Sequence, residues 1–446
     1  MDTPMSYNTG SQESFARPVL AEERIKTIDI IRGVALLGIL MMNIPGFGFE
    51  WSRNYWLLRG PHSGADFYTL ETISVFFEGT MRGLFSMLFG AGMILFTMNK
   101  KETPGSATVV ELYYRRLLWL VLFGILNAYV LLWFGDILYF YGLCGMVLYP
   151  FRKAAAKWLL VLGIACICIG MLKQYLSYKE ERQVRLDYVE AVAAKKEGKK
   201  LTDEQKGAKT AWMEREKWKP DSVWVNYRVN KIQHGSYPQI FNFFSPWNAD
   251  GETWGFYHWL FWDGLAMMFI GMALFRTGFF SNKLSTSTYL MCLLAGYGIG
   301  ITVGWIIFKK GDLGQVNLAA YLDRYRVNHA LLYDIKRVFL SVGHASLILL
   351  VFRSRIVPWL MKALSNVGQM AFSNYLMQSI ICTLYFYGYG FGNYDHLRYH
   401  QLYYVVFAVW IFQLIFSSIW LRYFRFGPFE WLWRSLTYWK MQPMKK

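Results

Sequence analysis

Cysteine and histidine are scarce in this chain, with 5 cysteines and 7 histidines among 446 residues. The cysteines all lie in apolar segments, and none is spaced as Cys-x-x-Cys: Cys144, Cys166, Cys168, Cys292 and Cys382. The histidines are scattered along the chain. A disulfide framework and a zinc site both need clustered side chains. The sequence therefore predicts neither a disulfide framework nor a bound metal.

Motifs for nucleotide chemistry are also missing. The chain has no Walker loop, no Gly-x-Ser-x-Gly elbow and no dinucleotide fingerprint in a suitable context. The glycines of Gly90-Ala-Gly92 lie in an apolar segment, where small residues allow close helix packing. Nucleotide hydrolysis is therefore not expected.

Charged residues are few, at 17%, whereas 54% of residues are hydrophobic and 19% are aromatic. One helical crossing of a bilayer needs about 20 apolar residues, and such segments recur along the chain. We predict about ten of them, near residues 28–48, 73–98, 117–134, 137–151, 158–178, 256–275, 286–308, 328–352, 366–388 and 401–421. The predicted fold class is an all-α, polytopic bundle of transmembrane helices.

Lysine and arginine concentrate on one side of these segments, and cytoplasmic loops carry such an excess. We therefore predict a multi-pass protein of the bacterial cytoplasmic (inner) membrane with both termini in the cytoplasm. The predicted order is a cytoplasmic tail (1–27), a membrane half of five spans (28–178), an extracytoplasmic insertion (179–255), a second half of five spans (256–421) and a cytoplasmic tail (422–446).

The insertion has two predicted parts. Thr202 and Gln205 have the spacing of a capping box, which indicates that the first part is helical. Residues 226–257 are rich in aromatics and contain prolines, which favours an irregular segment near the outer membrane face.

The net charge is +17, and most of the excess lies in loops next to the membrane. Anionic lipid headgroups are the natural partner of such loops. We therefore expect the lipid bilayer, and no nucleic acid, as the partner of this charge. The sequence leaves the oligomeric state open, with a homodimer as one alternative.

Six ionisable residues lie inside apolar segments and a seventh lies at a segment edge: Glu78, Arg82, Asp263, Lys336, Arg337 and His344, with Asp136 at the edge. A charge in hydrocarbon costs about 2.5 to 3.5 kcal/mol unless it is paired or hydrated. The pattern predicts a buried polar site, and the alternative is mutual neutralisation in structural ion pairs. Glu78 and Arg82 are four residues apart and could form one such pair.

Several motifs in the chain resemble a known family. They are Asp29-x-x-Arg32-Gly33 with the later Asn43, Arg82-Gly-Leu-Phe-Ser-Met-Leu-Phe-Gly90-Ala-Gly92, Gly135-Asp136-Ile-Leu, Gln369-Met-Ala-Phe-Ser-Asn374-Tyr-Leu-Met-Gln378-Ser379 and Arg425-Phe-Gly-Pro428-Phe-Glu430-Trp431-Leu-Trp-Arg434-Ser. Together they resemble the YeiB-like bacterial membrane proteins, of the domain of unknown function 418 type. More distantly, the chain resembles the transmembrane acyltransferase superfamily, which includes heparan-glucosaminide acetyltransferase.

The superfamily resemblance implies transfer of an acyl group from cytoplasmic acyl-CoA, with acetyl-CoA as the expected donor. The implied acceptor is extracytoplasmic or lipid-linked, such as a sugar. The candidate catalytic residues are His344, His62, Asn43, Asp136 and Asp263, and the candidate contacts to donor phosphates are Arg82, Arg337, Arg115 and Arg116. A histidine would remove the acceptor proton, while Asn43 or Arg337 would polarise the carbonyl.

Each candidate also has a simpler interpretation. Arg115 and Arg116 could be basic anchors at the cytoplasmic boundary, and Asp136 could cap a helix. Asn43 could hydrogen-bond between helices, and His62 could be an ordinary loop residue. For the whole protein, the alternative function is a proton-coupled transporter in which the carboxylates and His344 form a relay.

Overall fold

The computed structural model describes residues 25–98, 108–216 and 220–446. Within these ranges the regular structure is helical and no strand is assigned, which confirms the predicted all-α class. The first helices are α1 (Lys26–Gly48), α2 (Arg53–Arg59), α3 (Ala65–Thr72), α4 (Thr80–Met98), α5 (Val109–Tyr129), α6 (Leu138–Leu148) and α7 (Ala156–Lys196).

The remaining helices are α8 (Asp203–Glu216), α9 (Ser222–His234), α10 (Tyr237–Asp250), α11 (Phe261–Arg276), α12 (Thr286–Ile306), α13 (Leu313–Gln315), α14 (Leu318–Arg324), α15 (Tyr333–Ser354), α16 (Pro358–Gln369), α17 (Ala371–Phe386), α18 (Leu402–Tyr423) and α19 (Pro428–Tyr438). Three π-helical turns follow α3, α10 and α12: Ile73–Phe77, Gly251–Leu260 and Ile307–Asp312.

Seven helical segments in the described ranges are long and apolar enough to cross a membrane: Lys26–Gly48, Ala65–Met98, Ala156–Lys196, Tyr237–Arg276, Thr286–Gln315, His329–Ser354 and Tyr399–Tyr423. The chain is accordingly a multi-pass membrane protein. The other three predicted spans correspond to α5, α6 and the pair α16–α17, which Met370 interrupts. The count of ten spans and the cytoplasmic position of the termini stay predictions.

Glycine sets the closest helix contacts of the bundle. Gly33 of α1 faces the backbone of Leu364 on α16, and Gly368 of α16 faces the backbone of Asp29 on α1. A Cβ atom at either glycine would collide with the opposite backbone. The absence of a side chain therefore allows α1 and α16 to touch, as small residues do between membrane helices.

The insertion is helical, and its capping box forms as predicted. The Gln205 amide nitrogen donates to Thr202 Oγ1 at 3.2 Å, and the Thr202 amide nitrogen donates to Gln205 Oε1 at 3.1 Å. Helix α7 continues past residue 178 to Lys196, and α10 runs through a π-helical turn into α11. Both ends of the insertion therefore continue membrane helices.

The prediction of an irregular segment at 226–257 was wrong, because α9 and α10 cover most of it. Ser236 and Gln239 form a second capping box, in which the Ser236 amide nitrogen donates to Gln239 Oε1 at 2.8 Å. Pro238 lies in the first turn of α10, where its missing N–H would have had no helical partner. Proline at that position begins the helix instead of breaking it.

Loops that the sequence assigns to the same side of the membrane meet one another. At the end predicted to be extracytoplasmic, ion pairs join Arg53 to Asp395 (2.6 Å), Arg398 to Asp66 (2.8 Å) and Arg228 to Glu50 (3.4 Å). At the opposite end, Thr27 Oγ1 donates to the Phe280 carbonyl at 2.7 Å. The start of α1 is therefore packed against the connection between α11 and α12.

Candidate functional site

A cavity of about 270 Å³ opens at the end of the bundle where α1 begins. Residues from α1, α4, α5, α6, α16, α17 and α19 line it, together with residues next to these helices. Most of the lining is apolar. The charged and amide side chains in the lining are Asp29, Arg32, Arg116, Gln369, Glu430 and Arg434. An apolar cavity with a few polar groups is typical of a ligand pocket.

Aromatic residues form the deep part of the cavity. Phe85 and Phe89 of α4 pack on the ring of Tyr141, with centroids 5.9 and 5.2 Å away. The Tyr141 hydroxyl lies 2.7 Å from Ser86 Oγ and 3.2 Å from the carbonyl oxygen of Arg82. Arg82 lies about one helical turn from the lining residue Phe85, on the side away from the cavity opening. The Tyr141 hydroxyl, which contacts the Arg82 carbonyl, therefore lies at the deep end of the cavity.

The acidic groups of the cavity are already engaged by other partners. Asp29 pairs with Arg32 at 2.9 Å. Glu430 Oε1 accepts hydrogen bonds from the amide nitrogens of Phe372 (2.7 Å) and Ser373 (3.0 Å), in the first turn of α17. These amides have no partner within their own helix, and the positive end of the helix favours a carboxylate. The glutamate therefore serves to hold α19 against α17.

Arg116 differs from these groups in its surroundings. Its guanidinium lies 4.2 Å from the ring centroid of Trp433 and 5.1 Å from that of Phe96. Among the described residues, its electrostatic neighbours are Arg32 and two tyrosines, with no carboxylate. The guanidinium thus keeps hydrogen-bond donors for an anion at the cavity.

The five motifs named in the sequence analysis converge on this cavity. The lining takes residues from each of them in chain order: Asp29 and Arg32, then Phe85, Leu88, Phe89 and Gly92, then Ile137 and Leu138, then Gln369, Ala371, Phe372 and Tyr375, and finally Glu430, Trp433 and Arg434. These motifs lie as far apart as 400 residues in the chain. Only the fold brings them to one place.

The predicted phosphate contacts divide into two groups. Arg116 lines the cavity, and its neighbour Arg115 pairs with Glu111 and donates to the Thr437 carbonyl at 3.3 Å. The sequence analysis did not select Arg32 and Arg434 as cavity residues, because both lie where basic residues are expected at the cytoplasmic membrane boundary. Each belongs to one of the five motifs, and this was the signal that could have identified them.

Arg82 and Arg337 lie outside the cavity lining, in a cluster of ion pairs. Asp263 pairs with both, at 3.4 Å for Arg82, and Arg337 also pairs with Asp334 at 3.2 Å. The Arg337 side chain is fully buried. Much of this charge is therefore neutralised internally, as the alternative interpretation of the sequence expected.

Glu78 and Arg82 do not pair as the sequence suggested. Glu78 pairs with Lys336 at 3.2 Å and accepts a hydrogen bond from the Tyr333 hydroxyl at 2.8 Å. Gly79 follows with φ of +70°, which interrupts the helix between the two residues. Glu78 and Arg82 are therefore not neighbours on one continuous helix, and the Glu78 side chain contacts α15 instead.

None of the five candidate catalytic residues is in the cavity lining. Asp263 belongs to the ion-pair cluster, and His344, His62 and Asn43 lie elsewhere. His344 is held between Tyr297, whose hydroxyl is 2.9 Å from Nδ1, and the Phe76 carbonyl, 3.1 Å from Nε2. A carbonyl can only accept, so Nε2 carries a proton. His62 is exposed and donates to the Leu58 carbonyl at 3.0 Å, while Asn43 is half-buried on α1. The structure does not bring these three together.

Asp136 is the candidate catalytic residue beside the cavity. Its Oδ1 accepts from Asn127 Nδ2 at 2.7 Å and from the Tyr375 hydroxyl at 3.4 Å. Its Oδ2 accepts from the Tyr139 amide nitrogen at 2.9 Å, so it also caps the start of α6. Tyr375 and Ile137 line the cavity, and Asp136 lies immediately behind them.

Comparison with known proteins identifies the family. The sequence model of the family described as "Protein of unknown function (DUF418)" matches residues 240–440. The chain is 30% identical over 440 residues to the uncharacterized protein YxaH of Bacillus subtilis (strain 168), covering 97% of this chain and 99% of YxaH. It is 31% identical over 434 residues to the uncharacterized protein YeiB of Escherichia coli (strain K12), covering 93% and 96%. No solved structure matches the chain significantly. The chain belongs to the DUF418 family of YeiB- and YxaH-like proteins.

Proposed function

We propose that the protein is an acyltransferase of the bacterial inner membrane that binds its acyl donor in the cavity. It would pass the acyl group from cytoplasmic acyl-CoA to an extracytoplasmic or lipid-linked acceptor such as a sugar. The observation that carries this proposal is the convergence of all five motifs on one apolar cavity with arginines in its wall. The first of those motifs, Asp29-x-x-Arg32-Gly33 with Asn43, carries the distant resemblance to the transmembrane acyltransferase superfamily.

The lining of the cavity suits the two ends of a donor differently. Aromatic side chains surround its deep end, where an acyl group would fit, and Arg32, Arg116 and Arg434 belong to the same lining. The nucleotide end of the donor would therefore lie near the arginines.

The arginines suit that nucleotide end. Arginine binds phosphate oxygens through paired N–H donors, and its planar group also stacks on aromatic rings. Arg116 already stacks near Trp433, and Arg32 and Arg434 lie in the same lining. The donor phosphates would bind at this cluster while the thioester points toward Tyr141.

The deep end offers groups for the transfer step. The acceptor oxygen would bond to the thioester carbonyl carbon, the carbon–sulfur bond would break, and the acceptor proton would end on the leaving thiol. The Tyr141 hydroxyl donates to the Arg82 carbonyl at 3.2 Å in this structure, and it is the candidate donor to the thioester carbonyl oxygen in exchange for that hydrogen bond. Tyr375, hydrogen-bonded to Asp136, is the candidate path for the proton. Roles for His344, His62, Asn43 and Asp263 stay predictions.

Equilibrium binding of acyl-CoA to purified protein tests the donor site. A hydrogen bond to a charged group contributes about 1.5 to 3 kcal/mol, so Arg116→Ala should weaken binding at least tenfold. Arg276→Ala is the control, because Arg276 is an exposed arginine outside the cavity lining, and the affinity of this variant should stay within twofold of wild type. Absence of acyl-CoA binding, or equal losses in both variants, would contradict the proposal.

A proton-coupled transporter is the second candidate. It is favoured by the partial exposure of two charged side chains in the buried cluster, 42% for Glu78 and 35% for Arg82. Water that reaches these groups could supply protons to a relay. Proton-driven solute uptake into vesicles containing the purified protein, lost in Asp263→Asn, would favour this function over acyl transfer.

A further inference from the structure

Helix α19 and the tail that follows it form a flap attached at one place. The chain leaves the end of α18 at Tyr423 and passes through Gly427 into α19. It then returns, so that the Lys446 amide nitrogen donates to the Tyr423 carbonyl at 3.1 Å and the Arg425 amide nitrogen donates to the Met444 carbonyl at 2.8 Å. Both ends of the segment 424–446 therefore meet beside the end of α18.

The flap is stabilised by its own contacts. The Trp431 ring nitrogen donates to the Gln442 carbonyl at 2.7 Å, which ties α19 to the returning tail. The Trp420 ring nitrogen of α18 donates to the Phe426 carbonyl at 2.9 Å, which fixes the point of attachment. A segment held internally and attached at one place can turn as a unit.

Polar contacts hold the flap over the cavity on two sides. On α17, Glu430 accepts from Phe372 and Ser373, and the Phe429 amide nitrogen donates to Ser373 Oγ at 3.0 Å. On α5, the Arg116 carbonyl accepts from the Trp433 ring nitrogen at 2.9 Å, and the Thr437 carbonyl accepts from Arg115. These contacts lie between the flap and its neighbouring helices, so opening of the flap would leave the contacts within the bundle intact.

The flap also forms part of the cavity wall. Its lining residues are Glu430, Trp433, Arg434, Thr437 and Tyr438. A ligand whose apolar end reaches Tyr141 and whose polar head binds the arginines would lie against these residues. Turning of α19 away from α17 would widen the entrance for such a ligand.

We propose that α19 is a hinged lid, which turns about residues 424–427 to admit a phosphate-bearing acyl donor and then closes Trp433 over its head. The identity of the ligand rests on the proposed function, whereas the movement does not. Closure would complete the site, because Arg116 contacts Trp433 only when the lid is docked. Lids of this kind commonly limit substrate binding and product release.

Loss of the Glu430 contacts can test the movement. Glu430→Ala removes the acceptor of the hydrogen bonds from the start of α17. Leu88→Cys in the buried cavity wall would report access through its alkylation by a water-soluble maleimide. The native Cys382, which is fully buried and outside the cavity lining, is the control for unfolding, in a chain whose other native cysteines are replaced.

Alkylation at position 88 should be at least tenfold faster with Glu430→Ala than without it, whereas alkylation of Cys382 should stay slow. Equal alkylation rates at position 88 would overturn the lid proposal, and faster alkylation at both positions would show unfolding and contradict it as well. A second variant, Glu430→Gln, keeps one acceptor oxygen and should give an intermediate rate. Acyl-CoA binding is measured separately with Glu430 intact: faster alkylation in Glu430→Ala without acyl-CoA binding would support the lid and contradict the proposed donor.

Discussion

Replacement of Glu430 is the sharpest test of how the cavity is closed. Its carboxylate accepts from Phe372 N, Ser373 N and Ser373 Oγ, so Glu430→Ala leaves two amides at the start of α17 without their acceptor. A hydrogen bond to a charged group contributes about 1.5 to 3 kcal/mol, and several bonds to one group do not add fully. The carboxylate is only partly shielded from water, so we expect a loss of about 2 to 3 kcal/mol in lid docking.

That loss raises the open population of the lid about 30- to 150-fold. The assay is the alkylation of Leu88→Cys, whose rate follows the open population when opening and closing are fast. Glu430→Gln keeps one acceptor oxygen and should lie between alanine and wild type. An alanine variant that is alkylated within threefold of the wild-type rate would refute the role of Glu430.

Two further predictions concern the bundle and the deep end of the cavity. Arg337→Met leaves Asp263 and Asp334 without their buried partner and should destabilise the protein by about 3 to 5 kcal/mol. This loss should lower the midpoint of thermal unfolding in detergent. An unchanged midpoint would contradict the ion-pair assignment. Tyr141→Phe should lower the rate of acyl transfer about 10²- to 10³-fold with unchanged donor affinity. Tyr113→Phe is the control for this variant, because Tyr113 also lines the cavity but its hydroxyl donates to the Gly145 carbonyl. Equal transfer rates for the two variants would show that Tyr141 takes no part in the transfer step.

Much of the fold could be predicted from local patterns. The apolar segments indicated membrane helices because a bilayer leaves backbone groups no partners except those within the helix. The capping box at Thr202 was visible because its two residues are three positions apart. The segment 226–257 was misjudged because its prolines and aromatics were read as helix breakers. Pro238 lies in the first turn of α10, where proline suits a helix, and Pro246 lies inside α10 without ending it.

The candidate site was harder to predict, since its members come from distant parts of the chain. Sequence reasoning selected Arg116 and Asp136, which lie in or directly behind the cavity wall. It also selected Arg82 and Arg337 as phosphate contacts, and the structure instead places both beside Asp263. A charge in an apolar segment indicates that a partner exists, but its identity depends on which helices become neighbours.

The sequence by itself determined that the chain is a helical membrane protein, which family it resembles, and that its buried charges need partners. These properties follow from composition, short spacing and the cost of charge in hydrocarbon, all of which act locally. The tertiary structure alone decided that α19 folds back over the start of α17 and that Glu430 meets Ser373. This contact joins two distant helices through backbone amides, and no spacing rule along the chain encodes which helix end a carboxylate will reach.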